Sequence, residues 1–190
     1  VVVNPTKIKK MPEFRRHVEQ VMRSYGWAAP LWLETTADDP GFGQTRTAVD
    51  QGVDMVAALG GDGTVRNVAS GLLDTGIPLG ILPAGTGNLL ARNLGLPVRN
   101  HFTGLRAAMA GRDRAIDTLC VQIDTTGDGE PDEQAICTVM TGCGLDAEIM
   151  ALADDSRITT SERPRLANGI VELTRNFRNR DGIATVAAAV

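Results

Sequence analysis

The sequence predicts an α/β fold, in which a parallel sheet with helices on both faces is followed by the start of a second, β-rich domain. Short apolar runs alternate with amphipathic stretches over residues 1–97, and the segments between them are rich in glycine. Beyond about residue 112 the pattern changes to paired, alternating strands. Strand and helix in alternation indicate βαβ units, whose strands are parallel and whose helices cover both faces of the sheet.

The first predicted domain, residues 1–112, shows this alternation most clearly. The chain opens with three valines, a β-branched run suited to a strand that is covered on both faces. Four apolar residues then recur at helical spacing and predict a helix over 12–25: Phe14, Val18, Val21 and Met22. The alternation continues with strands at 30–36, 55–59 and 78–83 and helices at 43–51, 65–73, 89–95 and 99–111.

The second predicted domain, residues 113–190, begins with a hairpin. Strands are expected at 114–124 and 135–142, and the polar segment 125–132 between them is a hairpin signal. The acidic loop partly imitates an EF-hand calcium loop. Its twelfth position is Ala135, however, and no helix pair flanks it, so the sequence argues against calcium binding.

The rest of the sequence predicts helices at 148–154 and 166–178, separated by a polar loop at 154–165. The chain starts without Met, directly on an expected core strand, and it stops in an apolar run. We therefore expect it to be a portion of a longer protein, with the second domain only partly present.

Composition excludes several classes of function. The net charge is −4 and the charges are scattered, which argues against a nucleic-acid surface. No run of 18 apolar residues is present, so no transmembrane segment is predicted. Three cysteines without a C-x-x-C pair indicate a reducing cytosol rather than a disulfide framework or a zinc site. We expect them to be small buried residues on strands: Cys120, Cys137 and Cys143.

A glycine-rich turn follows the strand at 55–59. It comprises Gly60, Gly61, Asp62, Gly63 and Thr64 and leads into a helix. Glycines let a ligand approach the backbone closely, and the free N–H groups at a helix start bind phosphate. A carboxylate beside a phosphate requires a cation between them, so Asp62 indicates Mg²⁺ carried with a nucleotide. The alternative is a plain strand-to-helix turn in which Asp62 caps the helix.

A second turn of similar chemistry follows the strand at 78–83. It contains Gly85, Thr86, Gly87 and Asn88. In a parallel sheet the carboxyl ends of both strands lie at one edge, where α/β folds bind ligands. One divided phosphate site is therefore favoured over two unrelated turns. Backbone N–H groups of both turns, with the hydroxyls of Thr64 and Thr86, would hold the phosphates.

Four motifs, taken in order along the chain, resemble the diacylglycerol kinase and sphingosine kinase family of lipid kinases. They are the opening Val3-Asn4-Pro5, the Gly60–Thr64 turn, the Pro83–Asn88 turn and the segment Gly142–Ala147. The Gly60–Thr64 motif alone is shared with NAD kinases, and the addition of the second turn points to the lipid-kinase branch. Neither a P-loop nor a G-x-G-x-x-G after a strand is present.

This resemblance implies an ATP-dependent kinase that uses Mg²⁺ and phosphorylates a hydroxyl of a diacylglycerol-like or sphingoid lipid at the membrane surface. It implies a cytoplasmic protein, peripheral to the membrane and active in phospholipid biosynthesis; a homodimer is compatible with it. It also places Asn4 and Thr36 at the nucleotide site. From the residues themselves, Asn4 equally suits an Asx turn ahead of Pro5, and Thr36 suits a strand end or helix cap.

The sequence departs from the family pattern at two positions. The family usually has Glu where Asn67 stands and often Asp where Leu89 stands. Its general base comes from the later part of the second domain, and no stretch of this chain matches it. Arg92, one turn beyond Asn88, is either a partner of phosphate or Asp62 or a solvated helix residue.

Two other functions stay open at this point. One is a soluble, NAD-kinase-like kinase of small molecules, since the first turn is shared. The other is a nucleotide-binding regulatory module without catalysis, since no general base is assigned. The two histidines, His17 and His101, lie on predicted helices and are expected to be far from both turns.

Overall fold

The structure, a computed structural model, describes residues 1–126 and 129–141. Its main sheet consists of β1 (Val2–Val3), β2 (Leu33–Glu34), β3 (Val56–Gly60) and β4 (Leu79–Pro83). These strands lie in the order β2-β1-β3-β4, and each neighbouring pair is parallel. This is the arrangement that a run of βαβ units predicts.

The helices between the strands follow the expected order. They are α1 (Met11–Ser24), α2 (Phe42–Asp50), α3 (Asp62–Leu72), α4 (Leu89–Asn93) and α5 (His101–Ala110). A short 3-10 turn, Pro5–Lys7, separates β1 from α1. Because the strands are parallel, α1, α2 and α3 each return the chain to the amino end of the next strand.

One face of the sheet is covered by α1 and α5. A single apolar cluster joins the strands to both helices and includes Val3, Leu59, Leu82, Val18 and Leu105. Aromatic side chains extend the cluster between the helices, where the ring centroids of Phe14 and Phe102 lie 5.3 Å apart. The apolar stripe predicted on α1 therefore faces the sheet.

The opposite face is covered by α2 and α3. Val2, Val56 and Ala58 point to this face, because successive side chains alternate across a strand. Each of the three is at most 1% exposed. On this face α3 packs on β3 and β4, and α2 packs on α3. The predicted α/β fold with helices on both faces of a parallel sheet is confirmed.

Several predicted strands are shorter in the structure. β2 covers Leu33–Glu34 instead of 30–36, because it pairs only with β1, which ends before Pro5. The predicted hairpin is present as β5 (Leu119–Ile123) and β6 (Glu133–Cys137), an antiparallel pair. Leu119 pairs with Cys137 and Ile123 pairs with Glu133, so the two strands have the same length and end together.

The two cysteines of the hairpin are not both buried. Cys137 is half-buried, but Cys120 is exposed, and its Sγ accepts a hydrogen bond from Gln134. The expectation of buried cysteines is therefore wrong for Cys120. In the part of the chain that the structure describes, β5 pairs with β6 alone, and a two-stranded sheet leaves part of its surface to solvent.

The features predicted beyond residue 141 lie outside the described residues. They are the helices at 148–154 and 166–178, the loop at 154–165, the Gly142–Ala147 segment and Cys143. The division into domains 1–112 and 113–190 stays a prediction. No helix within 1–126 or 129–141 is both long and apolar enough to cross a bilayer.

Candidate functional site at the carboxyl edge of the sheet

The first glycine turn forms the junction between β3 and α3. Gly60 ends the strand, Gly61 is the N-cap, and α3 begins at Asp62, earlier than the periodicity predicts. A Cβ at Gly60 would collide with the side chain of Thr64, so only glycine fits this position. The alternative in which Asp62 caps α3 is wrong, because Gly61 occupies the cap.

The backbone donors at the start of α3 have no partner among the described residues. Val65 donates the first intrahelical hydrogen bond, to Gly61 O at 3.0 Å. The N–H groups of Asp62, Gly63 and Thr64 therefore precede the helical ladder. No side chain among the described residues caps this end. The result is an 11-residue helix whose positive end opens at the edge of the sheet.

The second glycine turn lies directly beside the first. Gly60 and Pro83 are register partners at the ends of β3 and β4, and Ala84 N donates to Gly60 O at 2.8 Å. Asn88 then closes the turn with two hydrogen bonds to Gly85: its Oδ1 accepts from Gly85 N and its Nδ2 donates to Gly85 O. Asn88 is only 6% exposed and holds a left-handed backbone at φ 48°.

The two turns touch each other through backbone. A Cβ at Gly85 would lie 2.6 Å from the Cα of Gly61. Asp62 adds a direct bond across the junction, because its Oδ1 accepts a hydrogen bond from Leu89 N at 2.6 Å. The predicted convergence of the two turns at one edge of the sheet is therefore present in the structure.

The remaining oxygen of Asp62 faces the second turn. A Cβ at Gly87 would lie 2.8 Å from Asp62 Oδ2, so a side chain at that position would crowd the carboxylate. Around it, Gly63, Thr86 and Gly87 are exposed. No group of three or more His, Cys, Asp or Glu side chains lies together in the described ranges. A single open carboxylate oxygen suits a Mg²⁺ that arrives with phosphates, since Mg²⁺ binds through one or two carboxylates plus phosphate oxygens and water.

Asn4 lies at the same edge of the sheet, but its side chain is engaged locally. Its backbone N donates to Leu59 O at 2.9 Å, so it stands next to the end of β3. Its Oδ1 accepts from the N and Oγ1 of Thr6, at 3.1 and 2.7 Å. This is the turn ahead of Pro5 that the residues themselves suggested. The Nδ2 group of Asn4 remains as the donor that a ligand could use.

Thr36 lies in a local turn with Asp39. It is exposed, and its Oγ1 accepts from Asp39 N at 3.0 Å. The same loop continues to Gly41, where a Cβ would lie 3.6 Å from Thr64 O. The loop that carries Thr36 thus reaches the first turn of α3 through Gly41, while Thr36 itself is placed in a local turn.

Sequence reasoning missed three contacts of the second turn. Leu89 supplies the backbone N–H for Asp62, which any residue type except proline can donate. Arg92 Nε donates to Gly87 O at 2.7 Å. His101 does not lie far from the motifs, because its Nδ1 is 2.6 Å from Pro83 O, just before the second turn. No local pattern signals any of these contacts.

The two residues that depart from the family pattern, Asn67 and Leu89, both make hydrogen bonds near the first turn. Asn67 donates to Gly63 O at 2.8 Å, one turn earlier in its own helix. Leu89 contributes its backbone N–H to Asp62. The junction between the turns is therefore built without a second carboxylate at position 89.

Comparison with known proteins adds independent information about this chain. A family model described as the diacylglycerol kinase catalytic domain matches residues 1–121. A diacylglycerol kinase of Mycobacterium tuberculosis is 46% identical over 77 residues, which is 40% of this chain and 25% of the relative. A diacylglycerol kinase of Bacillus subtilis is 32% identical over 122 residues, 62% of this chain and 39% of the relative.

A further relative has a more general description. A probable YegS-like lipid kinase of Chromohalobacter salexigens is 35% identical over 126 residues, 64% of this chain and 38% of the relative. The match thus spans well under half of the length of each of these proteins. The family model covers both glycine turns and more than half of the sequence. The chain therefore belongs to the family of the diacylglycerol kinase catalytic domain.

Proposed function

We propose that this chain carries the nucleotide-binding part of an ATP-dependent lipid kinase. The enzyme transfers the γ-phosphate of ATP to a hydroxyl of a diacylglycerol-like or sphingoid lipid, with Mg²⁺ held at Asp62. The observation that carries the proposal is the contact between the two glycine turns, where Gly85 lies against Gly61 and Leu89 N–H bonds to Asp62.

The arrangement suits the demands of phosphoryl transfer, which asks a protein mainly for positioning and for neutralised charge. The N–H groups of Asp62, Gly63 and Thr64 at the start of α3 provide donors for phosphate oxygens. The exposed second turn adds the hydroxyl of Thr86 on the other side. When bound, Mg²⁺ supplies charge neutralisation on the phosphates. The chain's own part is to hold the phosphates and to keep one oxygen of Asp62 open.

The acceptor lipid defines where the reaction takes place. A diacylglycerol-like or sphingoid molecule lies in a bilayer, so we infer that the cytoplasmic enzyme meets it at the membrane surface as a peripheral protein. The membership of the chain in a lipid-kinase family supports this acceptor over a soluble one. A homodimer is compatible with the proposal. No general base is assigned within this chain.

A phosphoryl-transfer assay on the complete protein that contains this sequence tests the proposal. Labelled ATP is offered with vesicles of mixed lipids that include diacylglycerol and sphingosine, and separately with NAD. We expect label in lipid, and none in NAD. Label in NAD alone would favour the NAD-kinase-like function. ATP binding without transfer to any acceptor would favour a regulatory module.

A pair of matched variants tests the role of Asp62. We expect Asp62→Asn to lower kcat by about 10²-fold or more, the scale seen when a group that stabilises charge in a transition state is removed. Asp50→Asn is the control, since Asp50 is exposed at the far end of α2 and its replacement removes the same charge from the protein. Activity of the Asp62 variant equal to that of the control would remove Asp62 from the mechanism.

A further inference from the structure

Arg92 is an exposed residue whose side chain nevertheless makes a hydrogen bond to the second glycine turn. It belongs to α4, and its side chain is exposed. Its Nε donates to the carbonyl of Gly87 at 2.7 Å. A long exposed side chain loses rotamer freedom when it is held in one place, so such a bond has an entropic cost. The bond joins the helix back to the glycine turn that precedes it.

The peptide that Arg92 holds lies next to the junction of the two turns. Gly87 O and Asn88 N–H belong to one planar peptide group and point in opposite directions, so fixing the carbonyl fixes the whole group. The next N–H along the chain is that of Leu89, which donates to Asp62 Oδ1. Arg92 therefore orients the peptide immediately before the donor that joins the second turn to Asp62.

Asn88 restrains the same turn from the other side. Its side chain makes two hydrogen bonds to Gly85, and its backbone is left-handed. Asparagine adopts the left-handed conformation more readily than most other residues with a side chain, so Asn88 suits this position. The bond from Arg92 to the Gly87 carbonyl adds a second side-chain restraint on the same turn.

We propose that Arg92 is a positioning residue of the phosphate site. Through the Gly87 carbonyl it holds the second turn in the conformation in which Leu89 N–H reaches Asp62. This role rests on the proposed nucleotide-binding function of the two turns. Among the described residues the guanidinium makes no other hydrogen bond or ion pair, so Nε carries its contact with the turn.

Lysine at position 92 would keep the positive charge but not the donor geometry of arginine. Arginine presents five N–H donors in a rigid, planar fork, so Nε can hold a carbonyl while the Nη groups stay separate. A lysine ammonium is a single point charge on a flexible stem. If the positive charge alone mattered, lysine would suffice. If the fork matters, lysine fails almost as completely as an uncharged residue.

The experiment compares Arg92→Gln and Arg92→Lys with Arg106→Gln in the complete protein. Arg106 is an exposed arginine on α5 and serves as the matched control. Hydrogen exchange resolved at the Leu89 amide is measured without ligand, and KM is measured for ATP and for the lipid. We expect both Arg92 variants to exchange faster at Leu89 and to raise the KM for ATP by about tenfold, the loss of one charge-assisted hydrogen bond. Melting temperature and the KM for lipid should match the control.

The readouts separate positioning from general damage. A fraction of unfolded enzyme lowers kcat and leaves KM unchanged, so a rise confined to the KM for ATP is specific to the site. The proposal is overturned if Arg92→Lys restores the KM for ATP, or if either Leu89 exchange or that KM stays at the control value. If the wild type uses no ATP, the proposed function fails, and Leu89 exchange alone decides the role of Arg92.

Discussion

Replacing Gly85 with alanine tests the contact between the two glycine turns. The Cβ added by Gly85→Ala would stand 2.6 Å from the Cα of Gly61 and 3.1 Å from Asn88 Oδ1. Carbon atoms in contact normally lie about 3.5–4.0 Å apart, so the first distance is about 1 Å too short. The nearest clash is with backbone on both sides, and a rotamer change therefore cannot relieve it.

The expected cost follows from that overlap. An extra methyl group forced into a well-packed site destabilises a protein by about 1–3 kcal/mol. We expect Gly85→Ala to fall in the upper half of this range, because β3 and β4 would have to separate at their ends. The same movement would pull Leu89 N–H away from Asp62, so the affinity for ATP should fall together with stability.

Urea denaturation of the complete protein measures the change, with Gly63→Ala as the matched control. A Cβ at Gly63 would meet nothing within 4 Å, and the residue lies in the first turn of α3. Alanine is favoured over glycine within a helix by roughly 0.5–1 kcal/mol, so this control should be neutral or stabilised. Both variants add one methyl group, yet we expect only Gly85→Ala to lower the denaturation midpoint.

One result would refute this reasoning. If Gly85→Ala unfolds at the same urea concentration as Gly63→Ala, the two turns do not press on each other. The proposed divided phosphate site would then lose its main structural support. Calorimetric titration with Mg·ATP provides the second measurement, and wild-type affinity in the Gly85 variant would lead to the same conclusion.

Two other changes test the core and the hairpin. Leu105→Ala should lower the free energy of unfolding by about 2–5 kcal/mol, because Leu105 is 1% exposed and belongs to the apolar cluster between α5 and the sheet. In the same denaturation series, the control Arg106→Ala at the exposed neighbour should stay within about 0.5 kcal/mol of wild type. Hydrogen bonds from Thr125 hold the pKa of the Asp132 carboxyl below its ordinary value of 3.8. The ionised carboxylate therefore stabilises the folded state above pH 3.8. This stabilisation is lost as the pH falls through the lowered pKa of Asp132. Thr125→Val should raise the pKa of Asp132 in a titration followed by NMR, and an unchanged pKa would contradict this account.

The architecture could be predicted from the sequence because its signals are local. The buried run of β3 and the apolar stripe of α1 follow from periodicity alone, since burial on one face requires that spacing. The glycines of the two turns mark strand-to-helix junctions, and parallel pairing brings such junctions to one edge. The approximate place of the proposed phosphate site follows from these local signals.

The boundaries of several elements could not be predicted in the same way. α3 starts within the glycine turn, at Asp62, because Gly61 takes the extended backbone of an N-cap. β2 is cut to Leu33–Glu34 because its length depends on β1, its partner in the sheet. These outcomes depend on residues that are distant in the sequence, and local propensity contains no information about them.

The partners of the site residues were also decided by the tertiary structure. From the sequence, Asp62 is predicted to be a helix cap or a metal ligand. The structure shows in addition that its Oδ1 accepts a hydrogen bond from the backbone of Leu89, 27 residues away. The Asp62 carboxylate reaches the Leu89 N–H only because the two glycine turns pack against each other. The sequence by itself determined which residues stand at the carboxyl edge, because strand direction and glycine positions are encoded locally. Only the packing of β3 against β4 decided which of those residues touch, because contact depends on distances that no single segment specifies.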